Sequence, residues 1–146
     1  MKIKSSIQNY EVIFSKNILP FIKQDIDQGS FFVIDKNVYS LYQKMFSNID
    51  EKNIFFLEAT EENKTLMKCQ HIIEFLLSRN FKKQNKIVAI GGGITQDLVC
   101  FVSSVLFRGV RWSFYPTTLL SQCDSCIGSK SSINIGKIKN QAGTFW

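Results

Sequence analysis

Three consecutive glycines, Gly91–Gly93, stand between two apolar segments and constrain this fold more than any other feature of the chain. The segment before them, Ile87–Ile90, is typical of a short buried strand, and the segment from Leu98 to Phe107 is typical of a buried helix. If that helix begins near Thr95, its first free backbone N–H groups and the bare glycine turn face the same space. The pattern therefore predicts a site for a phosphate or pyrophosphate group.

Short apolar segments alternate with segments of helical spacing along the rest of the chain. Strands are expected at 31–34, 54–57, 87–90 and 112–115, with further strands or a hairpin within residues 3–15. Helices are expected at 38–46, 60–80 and 95–107, and from about Thr118 onward. This alternation predicts an α/β fold, with a parallel sheet flanked by helices on both faces. Ligands of such sheets bind at the carboxyl ends of the strands, where Asp35, Gly91–Gly93 and Thr117-Thr118 would lie.

Length and charge narrow the class of ligand. A chain of 146 residues with 45% hydrophobic content is expected to form one globular domain. From residue 86 onward, six Lys and Arg stand against only two acids, Asp97 and Asp124, which suits an anionic ligand. The bases are single and scattered, so neither a nucleic-acid surface nor a membrane partner is expected. Because no segment has the length of a membrane span and the start lacks an apolar signal core, a cytoplasmic protein is expected.

The cysteines and the single histidine offer little for metal or redox chemistry. Cys123 and Cys126 have C-x-x-C spacing, but no second pair or nearby histidine accompanies them. We therefore interpret them as small buried thiols flanking Asp124. His71 is expected on the polar face of a helix, which leaves no histidine-based metal site or catalytic triad. The apolar face of that helix is expected to carry Leu66, Cys69, Ile73 and Leu77.

The second half of the chain contains a dense series of spaced motifs. In chain order they are Gly91-Gly92-Gly93 with Asp97, Phe107-Arg108-Gly109, Pro116-Thr117-Thr118-Leu119-Leu120, Asp124-Ser125, Gly128-x-Lys130, Asn134 and Lys139-Asn140. Asp35-Lys36-Asn37 and Glu61-x-x-Lys64 precede them. In this order and spacing the sequence resembles the 3-dehydroquinate synthase family, within the sugar-phosphate cyclases.

The resemblance implies a Rossmann-like N-terminal domain of the dehydroquinate-synthase fold and an NAD-dependent carbon–oxygen lyase. Such enzymes convert a seven-carbon sugar-acid phosphate to 3-dehydroquinate with elimination of phosphate, in the shikimate pathway of aromatic amino acid biosynthesis. A divalent metal, zinc or cobalt, acts with a helical C-terminal domain that family enzymes carry beyond the equivalent of Trp146. Residues 1–146 are thus expected to form the NAD-binding domain alone, inactive by itself and homodimeric when full length.

The resemblance also implies residue roles. Cofactor contacts are implied for Asp35, Asn37, Glu61, Lys64, Gly92, Gly93, Asp97, Thr117, Thr118 and Lys139. Catalytic or substrate-binding roles are implied for Arg108, Asp124, Lys130 and Asn140, and no metal ligand is expected within the chain. From the residues alone, Asp35 could instead end a strand in a turn, Glu61 and Lys64 could begin a helix, and the two threonines could cap one.

Departures from the family pattern leave the substrate open. Many members have glycine where this chain has Gln96, and a second glycine where it has Ser129. Cys100, Cys123 and Cys126 are also unusual in the family. The alternatives are a cyclase for another sugar phosphate and a nucleotide-binding module without catalysis.

Overall fold

The computed structural model describes residues 1–4, 9–128 and 130–145. The strands in this part are β1 (Lys2–Ile3), β2 (Tyr10–Glu11), β3 (Phe31–Asp35), β4 (Ile54–Leu57), β5 (Lys86–Gly91), β6 (Arg111–Pro116), β7 (Ile133–Ile135) and β8 (Ile138–Ala142). The α-helices are α1 (Leu19–Asp27), α2 (Lys36–Leu41), α3 (Gln43–Phe46), α4 (Leu66–Ser78), α5 (Gly93–Val105) and α6 (Leu119–Cys123). The predicted alternation through Ser5 and Ile7, and the departure at Ser129, lie outside the described residues.

Four parallel strands form the central sheet in the order β4-β3-β5-β6. This arrangement confirms the predicted α/β class. The chain continues from β3 to β4 on one side of the sheet and from β5 to β6 on the other side. The direction of the strand order therefore reverses between β3 and β5. The register pairs Ile34 with Ile90 and Gly91 with Pro116, which brings the carboxyl ends of the strands to one edge. That reversal point is where open α/β sheets bind ligands.

Helices cover both faces of the sheet, and alternate strand residues fill the two cores. On one face, Ile22 of α1 and Phe46 of α3 pack with Ile34 and Ile90. The core of the other face includes Ile72 and Leu76 of α4 and Leu98, Val99 and Val102 of α5. The strands β3, β4 and β5 are almost wholly apolar because both faces of a parallel sheet are buried. The sheet edge above them is therefore a rigid support for polar side chains.

Two helix boundaries differ from the sequence prediction. The helix α4 begins at Leu66 rather than near Thr60, because Thr65 accepts a hydrogen bond from Lys68 N at 3.2 Å and caps it. Residues Glu61–Asn63 form a separate 3-10 turn. The helix predicted at 38–46 is interrupted at Tyr42.

The buried face of α4 also differs from the prediction. Cys69, Ile72 and Leu76 are buried, whereas Leu66 and Leu77 are both nearly half exposed. The apolar stripe is thus rotated relative to the predicted one. His71 is exposed, as predicted.

The hairpin expected near the start of the chain is present as β1–β2, whereas the hairpin β7–β8 and the helix α1 were not predicted. The nine-residue helix α1 carries Pro20 in its first turn. The antiparallel pairs β1–β2 and β7–β8 lie outside the central sheet. The hydroxyl of Tyr10 donates to the Ile127 carbonyl, which ties the first hairpin to the segment after α6. Across the described ranges, no helix combines the length and apolar character needed to cross a membrane.

Candidate functional site

The glycine turn joins the end of β5 to the start of α5. Gly92 is the N-cap residue of α5, and no side chain caps the helix. Because the first N–H groups of a helix have no intrahelical partner, they are left for a ligand. A Cβ at Gly92 would lie 3.2 Å from Thr118 Cγ2, and a Cβ at Gly93 would lie 3.2 Å from Ser125 Oγ. Side chains there would narrow the space between the turn and the 117–125 segment, so this cradle fits a pyrophosphate.

Gly91 is required for a different reason. A Cβ at this position would lie 2.3 Å from Thr95 Oγ1, which is closer than any side-chain contact allows. The Thr95 hydroxyl is fully buried beneath the turn and has no hydrogen-bond partner among the described residues. A buried hydroxyl without a partner is uncommon, and here it lies at the uncapped start of α5. The turn thus combines free N–H groups with an unpaired hydroxyl.

Asp35 ends β3 on the other side of the strand-order reversal from Gly91. Its Oδ1 accepts a hydrogen bond from Asn37 N at 2.8 Å and caps α2, so the strand-ending turn is present. The half-buried Asp35 keeps its second carboxylate oxygen without a partner in the described part of the chain. Asn37 is exposed. One carboxylate can therefore cap the helix and still accept from a ligand hydroxyl.

The two threonines after β6 behave differently. The Thr117 N–H donates to the Gly91 carbonyl at 2.8 Å, which fixes this loop against the glycine turn. Thr118 caps α6: its Oγ1 accepts from Ser121 N at 3.2 Å and donates to Ser121 Oγ at 2.9 Å. The alternative that the threonines cap a helix therefore holds for Thr118. The exposed Thr117 does not cap α6.

Four residues singled out in the sequence meet in one partly buried cluster. Lys64, with 6% of its surface exposed, donates from Nζ to Asn140 Oδ1 at 2.6 Å and to Asp97 Oδ2 at 3.3 Å. Glu61 Oε1 lies 3.7 Å from the same nitrogen. These residues come from the turn before α4, the first turns of α5 and the strand β8. A buried ammonium is tolerated there because several oxygen atoms surround it.

Ser132 and Asn134 complete the cluster. Ser132 N donates to Asp97 Oδ1 at 3.0 Å, and Ser132 Oγ donates to Asn140 Oδ1 at 2.8 Å. Asn134 Nδ2 donates to Glu61 Oε1 at 2.9 Å, and Asn140 N donates to Asn134 Oδ1 at 2.9 Å. The left-handed backbone of Asn140, with φ +57°, is one that asparagine tolerates. The sequence did not single out Ser132, and it placed Asn134 in a motif without indicating a role for it.

The pKa values of the two carboxyl groups in the cluster, Asp97 and Glu61, are shifted in opposite directions. Burial raises the pKa of Asp97, and the neighbouring Lys64 and Ser132 only partly oppose this effect. The hydrogen bond from Asn134 lowers the pKa of Glu61, with smaller help from Lys64 and Lys139. The site thus holds a carboxyl group that protonates more readily than usual beside a buried ammonium.

Lys130 stands where the second hairpin approaches α5. Its carbonyl accepts a hydrogen bond from Gln96 Nε2 at 3.1 Å. Its side chain is exposed and lies along Gly128, where a Cβ would be 3.4 Å from Lys130 Cε. Lys130 and Asn140 both line a cavity of about 210 Å³. The cavity thus combines a cation and an amide, which are suitable donors to an anion.

Three further predicted residues are exposed and make few contacts. Asp124 is exposed at the end of α6, and Lys139 is exposed on β8. Arg108 lies at the other edge of the sheet: it follows α5 and precedes Arg111, which pairs with Lys86 at the start of β5. Within this chain the structure therefore separates Arg108 from the glycine turn. Its implied substrate role stays a prediction, which the position of Arg108 within this chain does not test.

The C-x-x-C pair also departs from the prediction. Cys123 is exposed and Cys126 is half-buried, so they are not two buried thiols. The Cys126 thiol donates to the Gln122 carbonyl at 3.0 Å. Within the residues that the structure describes, no three His, Cys, Asp or Glu side chains converge in a way that could hold a metal ion. The described residues by themselves therefore do not form a site for a divalent metal.

Comparisons with known proteins show which family this chain belongs to. The family model for the N-terminal part of 3-dehydroquinate synthase matches residues 54–146. The 3-dehydroquinate synthase of Clostridium tetani is 46% identical over 119 residues, covering 80% of this chain and 32% of that enzyme. The chain thus spans about a third of the length of this relative.

Two solved structures share the fold at low sequence identity. A 2-deoxy-scyllo-inosose synthase complexed with carbaglucose-6-phosphate, NAD⁺ and Co²⁺ matches with a TM-score of 0.82 and 22% identity, over 100% of this chain and 43% of that one. The 2-epi-5-epi-valiolone synthase of Streptomyces hygroscopicus, with NAD⁺ and Zn²⁺ bound, matches with a TM-score of 0.83 and 22% identity, over 99% and 42%. With the fold matched by these structures and more than half of its residues by the family model, this chain belongs to the 3-dehydroquinate synthase family.

Proposed function

We propose that this chain is the NAD-binding part of an NAD-dependent lyase that forms 3-dehydroquinate from a seven-carbon sugar-acid phosphate. The 46% identity to the Clostridium tetani enzyme favours this substrate over those of other cyclases. The observation that carries the proposal is the uncapped, side-chain-free turn at Gly92 and Gly93, at the carboxyl edge where the strand order reverses.

On the cofactor side, each element of the edge has a distinct task. The N–H groups at the start of α5 hold the pyrophosphate, and the unpaired oxygen of Asp35 accepts from a ribose hydroxyl. Asn37, Thr117 and Lys139 are exposed donors around this edge. Bound NAD would take a hydride from a substrate alcohol and later return it. The chain's own contribution is to bind and orient the dinucleotide.

On the substrate side, Lys130 and Asn140 supply donors to an anionic ligand. Asn140 Oδ1 is occupied by Lys64 and Ser132, which directs its NH₂ group to be the donor for a ligand. The exposed carboxylate of Asp124 is suited to accept from a substrate hydroxyl. Asp97, fixed by Lys64 and Ser132, closes the nicotinamide side of the site.

Calorimetric titration of the 146-residue chain with NAD tests the cofactor assignment. Replacing Gly93 by Ala would place a methyl group in the pyrophosphate cradle, but it would also approach Ser125 Oγ at 3.2 Å. We therefore compare the pair Gly93→Ala/Ser125→Ala with Ser125→Ala alone. The second substitution removes the internal contact and leaves the methyl group facing the ligand.

We expect the Ser125→Ala variant to bind NAD like the parent chain. The double variant should bind NAD at least about tenfold more weakly, which is a loss of about 1.4 kcal/mol or more in binding free energy. Circular dichroism and thermal melts confirm that each variant is folded. Folded parent protein that does not bind NAD, or equal binding by the two variants, contradicts the proposal. Binding of NAD without turnover by a full-length enzyme would instead favour a nucleotide-binding module without catalysis.

A further inference from the structure

Two side chains of α5 hydrogen-bond the segment that leads into the second hairpin. Gln96 Nε2 donates to the Lys130 carbonyl at 3.1 Å. Asp97 Oδ1 accepts from Ser132 N at 3.0 Å. Burial raises the pKa of the Cys100 thiol, one turn further along α5, and the side chain of Ser131 partly opposes this rise. The helix that begins at the glycine turn thus also fixes the segment that carries Lys130.

The opposite side of this segment is held by contacts with residues 144 and 145. Ser131 N donates to the Thr144 carbonyl at 2.9 Å, and Thr144 N donates to Ser131 Oγ at 3.2 Å. Lys130 forms an antiparallel bridge with Phe145. In the described part of the chain, Gln96 is the one donor found for the Lys130 carbonyl. The contacts with residues 144 and 145 thus hold one side of this segment, and the Gln96 amide holds the Lys130 carbonyl on the other.

Gln96 is placed to join the cofactor turn to Lys130. Its backbone N–H donates to the Gly92 carbonyl at 3.1 Å, so it belongs to the first hydrogen-bonded turn of α5. Its side chain is only 3% exposed. A buried amide is costly unless paired, and its pairing here is with the Lys130 carbonyl. Gln96 thus connects Gly92 to Lys130 through two hydrogen bonds, one from its backbone and one from its side chain.

We propose that Gln96 is a positioning residue: its side-chain amide holds the main chain at Lys130, so that the exposed ammonium stays in register with the glycine turn. The inference rests on the proposed function, because it requires Lys130 to bind the anionic substrate. Gln96 does not itself touch substrate or NAD. It acts by limiting where the Lys130 ammonium can be relative to a dinucleotide bound at Gly92 and Gly93.

The test uses steady-state kinetics of the full-length enzyme that the proposed function requires. Gln96→Met keeps the size of the side chain and removes the donor. We expect kcat/KM for the sugar-acid phosphate to fall about 10- to 100-fold, since a small misplacement of a catalytic group has effects of this order. The affinity for NAD should change less than about threefold, because the glycine turn is intact. Gln70→Met, an exposed glutamine of α4, is the control and should match the parent.

A double-variant cycle separates positioning from general stability. If Gln96 acts through Lys130, then Gln96→Met should cause no further loss of kcat/KM in a Lys130→Ala background. Independent, multiplying losses would overturn the inference, as would parent-like kinetics of Gln96→Met alongside a Lys130→Ala variant whose kcat/KM is strongly reduced but still measurable. Parent-like activity of Lys130→Ala would instead refute the substrate role of Lys130 and with it the inference. A lack of NAD binding by the parent would refute the proposed function itself.

Discussion

Replacing Lys64 by Met should destabilise the chain more than any exposed lysine substitution, and the loss should depend on pH. The Lys64 ammonium lies 3.3 Å from Asp97 Oδ2, with side-chain exposures of 8% and 18%. At an effective dielectric constant of about 20, unit charges at this distance attract by about 5 kcal/mol. Most of this attraction offsets the cost of burying the two charges. Removing one partner leaves that cost unmatched, so we expect a net loss of about 3 kcal/mol at pH 7.

The sign of the pH dependence follows from Asp97. Burial raises the pKa of this carboxyl group in the folded chain, and Lys64 opposes the rise. Without Lys64, the folded-state pKa rises further above the unfolded value of about 3.9. Below that value Asp97 is neutral in both states and the substitution costs least. As pH rises through the raised pKa, the folded chain must ionise a buried carboxyl group without its partner, so the loss grows and is complete at higher pH.

Urea unfolding followed by circular dichroism at pH 4.5 and pH 7 measures both effects. Lys23→Met, an exposed lysine on α1, is the matched control and should change the free energy of unfolding by less than about 0.5 kcal/mol. Loss of the Glu61 contact at 3.7 Å acts in the same direction, because Lys64 also lowers the pKa of that carboxyl group. A Lys64→Met loss below about 1 kcal/mol at pH 7, or an equal loss at both pH values, would refute this reasoning.

Two further predictions concern burial. Cys123 should react first with iodoacetamide in the folded chain, as read by mass spectrometry, because it is exposed whereas burial raises the pKa of both Cys69 and Cys100 to about 12; early labelling of either buried thiol would contradict this. Gly143→Ala should lower the free energy of unfolding by more than about 2 kcal/mol, because its Cβ would lie 2.0 Å from the Ser131 carbonyl oxygen, and a loss under about 0.5 kcal/mol would show that the backbone yields there.

The sheet and the glycine turn were predictable because their signals are local. Each of the four apolar segments is a continuous stretch of sequence that predicts one strand, and the three glycines are consecutive and predict one turn. The helix α1 was missed because its nine residues are too few for a long periodic apolar stripe, and Pro20 lies in its first turn. The α4 boundary was misplaced because Thr60 and Thr65 are equally good caps by type. Only the fold shows that Thr65 is the residue whose hydroxyl meets a helical N–H.

The polar cluster could not be derived from residue patterns, since its bonds join residues far apart in sequence. Lys64 contacts Asp97 across 33 positions and Asn140 across 76. The family resemblance singled out these residues, but not that they contact one another or that Ser132 links them. The position of Arg108, by contrast, follows from the length of α5. A buried helix of about 13 residues is about 20 Å long, which carries the chain from one edge of the sheet to the other.

The charges buried at the carboxyl edge are better explained by a ligand than by stability. A buried ion pair rarely stabilises a fold more than apolar residues of similar size would. Here the pair of Lys64 and Asp97 lies beside Asn140, whose oxygen both Lys64 and Ser132 occupy. Because the Asn140 oxygen is occupied, its NH₂ group is the end that is left for a ligand. Apolar neighbours could not orient the amide in this way. The same helix carries Asp97, Gln96 and the uncapped glycine turn, so one rigid element sets the positions of the cofactor cradle, the buried carboxyl group and the Lys130 main chain.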